Sequence, residues 1–346
     1  MKINLSFNVF SKHIENCLGL FCVYKSMKNY QLYFLFTFLF PICLLAQKID
    51  NMASFRDMNA KRYFRYNYDN DYFASQDQDY TQGYSFELVS PNLRKNPINK
   101  MLFNTKNTEN KYGIAIEHIG FTPFNIKSPN IQFGDRPFAA TIMLKSFAIA
   151  TDTINKSRFI SSMNIGLIGP GAFGKEMQVA IHEATGNTIP EGWQNQIKND
   201  VVLNYEVNFE KELVSYRNLF SLQTNSKLRL GTLFTNASLG LTTTFGIVNS
   251  PFSSSKTKKK FSIYSYAQSI VNVIGYDATL QGGIFNKKSP YTISNSEIER
   301  LTAQINFGMI MQTRTMFFEY SRSLITREFE VGNSSKWGGI KVGFRF

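Results

Sequence analysis

Apolar and polar residues alternate strictly along many short segments of this chain. In the segment 201–213, Leu203, Tyr205 and Val207 alternate with polar residues, and the last segment repeats this pattern up to Phe346. A period of two places successive side chains on opposite faces of a β-strand, so that each segment has one apolar face. The pattern predicts an all-β protein.

Twelve such segments can be counted, an even number, as in single-chain bacterial barrels. They lie at 62–71, 82–90, 111–121, 139–151, 157–168, 201–214, 219–231, 234–246, 260–275, 297–312, 313–329 and 336–346. An alternating final strand that ends in an aromatic residue is typical of outer-membrane barrels, and a soluble sandwich is the alternative. We therefore predict a single transmembrane antiparallel β-barrel of about 12 strands.

The hydropathy of the chain agrees with a barrel. The mean hydropathy is slightly negative, and no apolar run after Gln47 reaches the length of about 18 residues that a membrane-spanning helix needs. Barrel strands alternate lipid-facing and lumen-facing residues, so they do not stand out in a hydropathy window. This excludes a helical membrane protein.

The first 46 residues are predicted to be an upstream extension followed by a signal peptide, with Met27 as the natural start. Lysines precede an apolar stretch that is interrupted by Pro41 and ends at the small residue Ala46, as in secretory signals. All three cysteines lie within the first 43 residues, so cleavage before Gln47 would leave an exported chain without disulfides. Residues 47–346 are then the barrel domain.

The net charge of +13 suggests an anionic partner, either nucleic acid or phosphorylated lipid. Export favours the lipid, and no nucleic-acid-binding motif supports the other choice. We expect no nucleic-acid partner.

Three connections that are expected to face outward, 70–81, 120–138 and 169–200, are unusually polar or long. The third contains a predicted helix from Gly174 to about Thr185, which would be one short helix in an outer loop. Its apolar stripe has helical spacing and is expected to be its buried face. The stripe consists of Met177, Ala180, Ile181 and Ala184.

These connections also carry the candidate chemistry. His182 lies on the predicted helix and could take a proton from water. Asn70 could donate a hydrogen bond to an oxyanion, and Asp71 could hold a hard cation such as calcium. His118 is interpreted as a rim residue without a catalytic task, and no serine lies in a nucleophile-elbow motif.

Two further loop features have structural interpretations. Trp193 is predicted to pack the helix onto the barrel rim, at the level where aromatic residues gather. Asp135 and Arg136 are predicted to form an ion pair that fixes the second connection.

A set of motifs in a fixed order resembles the outer-membrane lipid A 3′-O-deacylases, a family of twelve-stranded barrels from Gram-negative bacteria. The resemblance covers residues 62–346 and is strongest from 69 to 200. Its motifs are DND at 69–71, DYTQG at 79–83, GDRPF at 134–138, IGP at 168–170, EMQ at 176–178, His182, Gly186, GWQNQ at 192–196 and LQG at 280–282.

The resemblance implies a calcium-dependent hydrolase that removes the 3′-linked acyloxyacyl chain of lipid A. It implies His182 as the general base, Asn70 and Asp71 as the paired amide and carboxylate, and Thr81 and Lys127 as further site residues. The active site would lie between the barrel wall and the outer loops, facing the outer leaflet of the outer membrane.

Two positions depart from the family pattern. Ser128 stands where a second basic residue is expected after Lys127, and Thr188 stands where an acidic metal ligand is expected six residues after the histidine. Glu183 and Glu191 are nearby substitutes, and the predicted metal ligands are Asp71 and Glu191. Binding of calcium is accordingly expected to be weaker than usual.

The predicted function is therefore an outer-membrane esterase whose substrate is lipid A or lipopolysaccharide, with a histidine-activated water and calcium assistance. The barrel-assembly machinery is an expected partner. A non-catalytic pore, a lipopolysaccharide-binding barrel and a phospholipase on the same scaffold are the alternatives.

Overall fold

The structure is a computed structural model that describes residues 51–346 except 75–78, 104, 106–107 and 254–259. The predicted upstream extension and signal peptide, and residues 47–50 of the predicted barrel domain, lie outside the described residues. The first helical turn among the described residues is a 3-10 helix, Ser54–Arg56.

Twelve antiparallel strands form a closed barrel, in which β1 pairs with both β2 and β12. This confirms the predicted architecture and strand number. The strands are β1 Tyr63–Asn70, β2 Asp79–Val89, β3 Glu109–Thr122, β4 Ala139–Asp152, β5 Ser157–Ile168, β6 Asp200–Tyr216, β7 Phe220–Gly231, β8 Phe234–Ile247, β9 Ser262–Asp277, β10 Leu301–Gln312, β11 Met316–Ile325 and β12 Ser335–Arg345.

The alternation in sequence becomes an alternation between lumen and outer wall. On β1, Arg65 points into the lumen and is buried, whereas Phe64 points outward and is exposed. The lumen-facing charges are paired: Arg65 lies 2.9 Å from Glu87, and Arg229 lies 2.9 Å from Glu206. Pairing of this kind is what makes buried charge tolerable in a barrel interior.

The segment before β1 crosses the lumen. Arg56 is completely buried and binds Glu319 at 2.8 Å and the hydroxyl of Tyr266 at 2.7 Å. The Ser54 hydroxyl donates to Gln223 at 2.5 Å, and the Tyr264 hydroxyl donates to the carbonyl of Phe55 at 2.6 Å. Since these partners come from β7, β9 and β11, the segment fills the lumen near the end where the chain terminates.

We call the opposite end, where β1 joins β2, the upper end. The first, second and third connections of that end are residues 71–78, 123–138 and 169–199. The third contains helix α1, Gly174–Thr185, which confirms the predicted helix. A second helix, α2, is a single turn at Ala278–Gln281. Among the described residues, no helix combines the length and apolarity needed to cross a membrane.

The buried face of α1 differs from the predicted one. Gly174, Gln178 and His182 are the buried residues, whereas Ala180 and Ala184 are exposed. The prediction assumed that an apolar stripe must pack on protein. The outer wall of a membrane barrel has lipid around it, so an apolar stripe is also accommodated on the side away from the wall.

The predicted ion pair in the second connection is also wrong. The guanidinium of Arg136 binds Glu328 at 3.0 Å and lies 4.2 Å from the ring centroid of Phe121. The carboxylate of Asp135 instead accepts backbone N–H groups, those of Phe124 and of Arg136 itself. Each side chain fixes the connection, but through different partners.

Candidate functional site

The upper part of the outer wall contains a row of outward-facing residues, one from each of the first four strands. Gln82 pairs with Gly120 and Gly120 with Ala140, and the pairing of Asp69 with Gly83 places Asn70 opposite Gln82. We call Asn70, Gln82, Gly120 and Ala140 the covered row. With a strand spacing of about 4.8 Å, it is about 14 Å wide.

Lower on the same wall, Phe86, Ile116 and Leu144 are exposed, as lipid-facing residues are. Gln82 and Ala140 are buried although they face the same way. The third connection therefore covers the upper wall.

Helix α1 approaches this wall very closely at its first residue. A Cβ at Gly174 would lie 2.4 Å from the Cβ of Ala140 and 2.8 Å from the Trp193 ring, so only glycine fits there. The Trp193 indole N–H donates to Gln178 at 2.7 Å, and the ring packs on Phe138. Trp193 is 1% exposed, and it packs the helix onto the barrel as predicted.

His182 lies two turns after Gly174 on the same helix face and is 7% exposed. Its Nδ1 lies 2.5 Å from the backbone carbonyl oxygen of Thr188. A carbonyl oxygen can only accept, so Nδ1 carries the proton, and Nε2 of the neutral ring is left as an acceptor. A general base needs this tautomer.

Asn70 and Thr81 are joined directly. The Nδ2 group of Asn70 donates to the backbone carbonyl of Thr81 at 2.5 Å. The Thr81 hydroxyl is hydrogen-bonded to the Thr122 hydroxyl at 2.6 Å. The strand register shifts between Tyr80 and Gln82, so Thr81 is the bulged residue of β2, and a bulge redirects a side chain at the edge of a sheet.

Asp71 follows Asn70 and is the first residue of a single-turn helix, Asp71–Ala74. Its side chain is 2% exposed. The turn packs on the neighbouring strands β12 and β11: Phe73 contacts Gly338 of β12, and its carbonyl accepts from Arg322 of β11 at 2.7 Å. The structure thus places Asp71 at the buried start of the first connection.

Lys127 and Glu191 lie on the surface. Both side chains are exposed, and the N–H of Glu191 donates to the carbonyl of Ile126 at 2.9 Å. The second and third connections are therefore docked together next to Lys127. Further contacts strengthen this docking: the carbonyl of Pro129 accepts from the side chains of Gln194 at 2.6 Å and Asn195 at 2.8 Å.

His118 is buried rather than at the rim. It faces outward one step below Gly120, and its Nε2 donates to the carbonyl of Ala172 at 2.9 Å. The bond fastens the chain just before α1 to the barrel wall. His118 is thus an anchor for the third connection, and the interpretation without a catalytic task stays a prediction.

Sequence reasoning did not identify Thr122, Gln178 or Gln82 as site residues. Gln82 belongs to the DYTQG motif, but nothing in the motif distinguishes it from its neighbours. A row of aromatic residues below Asn70 was also missed. The rings of Tyr68 and Tyr84 stack with their centroids 4.9 Å apart.

One protein-family model covers most of the chain. The family model of outer membrane protein LpxR matches residues 32–346. The chain belongs to the LpxR family. This confirms the resemblance drawn from the motifs, and the barrel fold and the family together support an outer-membrane location. No curated protein sequence matches the chain.

One solved structure in particular is similar in fold. LpxR from Salmonella typhimurium is similar with a TM-score of 0.68 and 19% identity, over 82% of this chain and 100% of that chain. The β-domain of the Bordetella autotransporter BrkA has a TM-score of 0.45 and 8% identity, over 83% of this chain and 100% of that one. The first likeness shows the fold.

The two residues that depart from the LpxR pattern, Ser128 and Thr188, lie in the second and third connections. Ser128 lies where the second connection meets the third, with its carbonyl against Gly192. Thr188 uses its backbone carbonyl to hold the His182 ring. At these two positions the chain has backbone contacts where the family pattern has charged side chains.

Few side chains of the described residues are candidate calcium ligands. Asp71 is a buried carboxylate and Glu191 is an exposed one on another connection. Within the described ranges, no group of three or more His, Cys, Asp or Glu side chains could hold a metal ion. Calcium normally takes six to eight oxygen ligands, including carbonyls and waters. The side chains present do not build such a site by themselves, so a calcium ion held at Asp71 would need backbone carbonyls, waters or substrate oxygens for most of its ligands.

Proposed function

We propose that this protein is an outer-membrane esterase that removes the 3′-linked acyloxyacyl chain of lipid A. The observation that carries the proposal is the covered row, with Asn70 at one end and the helix of His182 seated against the other. The covered row lies on the outer wall, where an acyl chain in the membrane could reach it, and not in the lumen. Membership of the LpxR family supports lipid A as the substrate class.

In the proposed reaction, Nε2 of His182 takes a proton from water as the water oxygen attacks the ester carbonyl. Asn70 donates a hydrogen bond to the negative oxygen that develops, with its amide held in place by Thr81. When the intermediate collapses, the ester C–O bond breaks and the proton on His182 passes to the leaving sugar hydroxyl. The products are a free acyloxyacyl acid and a deacylated sugar.

Lys127 is proposed to attract the anionic head group from its exposed position on the second connection. A lysine there acts as a point charge and can bind a phosphate without a rigid geometry. The upper end would then face the outer leaflet, and both termini would face the periplasm, from which the barrel-assembly machinery inserts the chain.

A passive pore fits the structure less well. The segment before β1 crosses the lumen and binds strands on several sides, and the lumen-facing charges are paired with each other. A phospholipase remains a second candidate for the same site, since a water activated by His182 would hydrolyse either ester.

Purified protein offered lipid A and a diacyl phospholipid in separate assays would distinguish the candidates by mass spectrometry. We expect loss of one acyloxyacyl unit from lipid A and no change in the phospholipid. Release of lysophospholipid with unchanged lipid A would overturn the proposed substrate.

A further inference from the structure

We propose that Gln82 is a substrate-binding residue, whose side-chain N–H donates to a second carbonyl of the acyl group, not to the carbonyl under attack. The inference rests on the proposed function and adds a residue that the family motifs do not single out. It starts from a buried amide without a partner.

Gln82 is 2% exposed, and its Nε2 has no hydrogen-bond partner among the described residues. Buried amide donors are nearly always satisfied, because an unpaired donor loses its hydration without compensation. A donor left open beside a candidate site is suited to a ligand that completes it. The Nε2 of Gln178, on the buried face of α1, is also without a partner in the described part of the chain.

The direction of the Gln82 side chain is set by Gly120. Measured from the position that a Cβ at Gly120 would take, the Cγ of Gln82 lies at 3.2 Å and its Nε2 at 3.6 Å. The side chain therefore lies across β3, toward Ala140 and helix α1. It turns away from Asn70, which is its cross-strand neighbour on the other side.

This direction decides which substrate atom Gln82 can reach. Two donors that share one oxyanion must both lie about 2.7–3.1 Å from it. The amide of Gln82 lies over Gly120 on β3, on the side away from Asn70, so it is placed to bind a different acceptor atom. A neutral amide on an apolar wall suits a neutral carbonyl, and an acyloxyacyl group has two ester carbonyls a few bonds apart. The geometry thus favours acyloxyacyl chains over single acyl chains.

A contact of this kind holds the substrate equally in the ground state and the transition state. Its loss should raise KM and leave kcat nearly unchanged. For one neutral hydrogen bond the expected increase in KM is about three- to tenfold. With a single-acyl ester as substrate, the same variant should have the KM of the parent.

Gly120 provides an independent way to move the amide without removing it. A Cβ at this position would meet the Cγ of Gln82 at 3.2 Å and displace it. Gly120→Ala should therefore raise KM for the acyloxyacyl ester when Gln82 is present. In the Gln82→Met background the same substitution should not raise KM further, because both substitutions act by removing the Gln82 amide from its position.

The test measures kcat and KM for both esters with the parent, Gln82→Met, Gly120→Ala, the double variant and His182→Ala, each checked for heat-resistant folding in detergent. Gln281→Met, in α2, is the matched control and should behave as the parent.

The inference is supported if Gln82→Met raises KM for the acyloxyacyl ester alone, and if the effects of Gln82→Met and Gly120→Ala on KM do not add in the double variant. An active parent with an unchanged KM in Gln82→Met overturns this inference alone, whereas an inactive parent overturns the proposed function and the inference with it. If Gln82→Met fails to fold, an unchanged KM in Gly120→Ala would contradict the inference instead.

Discussion

The Nδ1 atom of His182 donates a hydrogen bond to the backbone carbonyl oxygen of Thr188 at a distance of 2.5 Å. The residue that departs from the family pattern thus holds the ring of the candidate base. Since the contact uses the main chain, the side chain at position 188 is not needed for it. The chain can lack the acidic residue and still keep the tautomer that the reaction requires.

The first prediction concerns this base. His182→Ala should leave a folded barrel and lower the rate of ester hydrolysis by roughly 10²–10⁴, the usual contribution of general base catalysis. Lys175→Ala is the matched control, since Lys175 lies on the same helix and is exposed. Initial rates with purified variants would check this, and equal losses in the two variants would show that the base is misassigned.

The second prediction concerns Asn70. Asn70→Ala should lower kcat by about 10²–10³, as expected for removal of one oxyanion donor, with little change in KM. Asn130→Ala, at an exposed position in the second connection, should have the parent rate. A change in KM alone would mean that Asn70 binds the ground state and does not stabilise the transition state.

The third prediction concerns calcium, which the family resemblance implies. A chelator should abolish hydrolysis, and calcium should restore it better than zinc. Asp71 is the one buried carboxylate of the predicted pair, so calcium should bind weakly. The dissociation constant should be on the order of millimolar, as in extracellular calcium modules. Asp71→Asn should raise the calcium concentration needed for half-maximal rate, whereas Glu191→Gln should not. Full activity in excess chelator would exclude the cation from the reaction.

The fourth prediction concerns the segment in the lumen. Glu319→Gln removes the carboxylate that binds the buried guanidinium of Arg56, which should destabilise the barrel by about 3–5 kcal/mol. The pair Arg327–Glu299 has side chains that are 55% and 30% exposed. Glu299→Gln should therefore cost about 0–1 kcal/mol. Urea unfolding in detergent would measure both, and equal stability of the two variants would show that the segment does not brace the barrel.

The strands could be predicted from sequence because each depends on a local period. The segment predicted at 201–214 is observed as Asp200–Tyr216, and the one predicted at 157–168 is observed with those bounds. The buried face of α1 could not be predicted in this way. Which face of the helix is buried depends on the close approach of Gly174 to Ala140 and on the lipid that surrounds the barrel wall.

The candidate site was predictable in part from residue chemistry and in part from the motifs. His182 and Asn70 were predicted from their chemistry in the polar connections, and Thr81 was predicted from the family resemblance. The hydrogen bonds of the structure give each of them a defined partner. Gln82 depends on the register between β2 and β3 and on the missing side chain of Gly120. Such a relation between distant segments exists only in the folded chain.

The most direct test of the central claim is a mass spectrum of lipid A from Gram-negative cells that make the parent protein, His182→Ala or no protein. We predict a species that lacks one acyloxyacyl unit in cells with the parent protein alone. Outer-membrane fractions should contain both proteins in equal amounts, so that the difference reflects chemistry and not assembly. Identical lipid A in all three strains, with the parent protein folded in the outer membrane, would contradict the assignment.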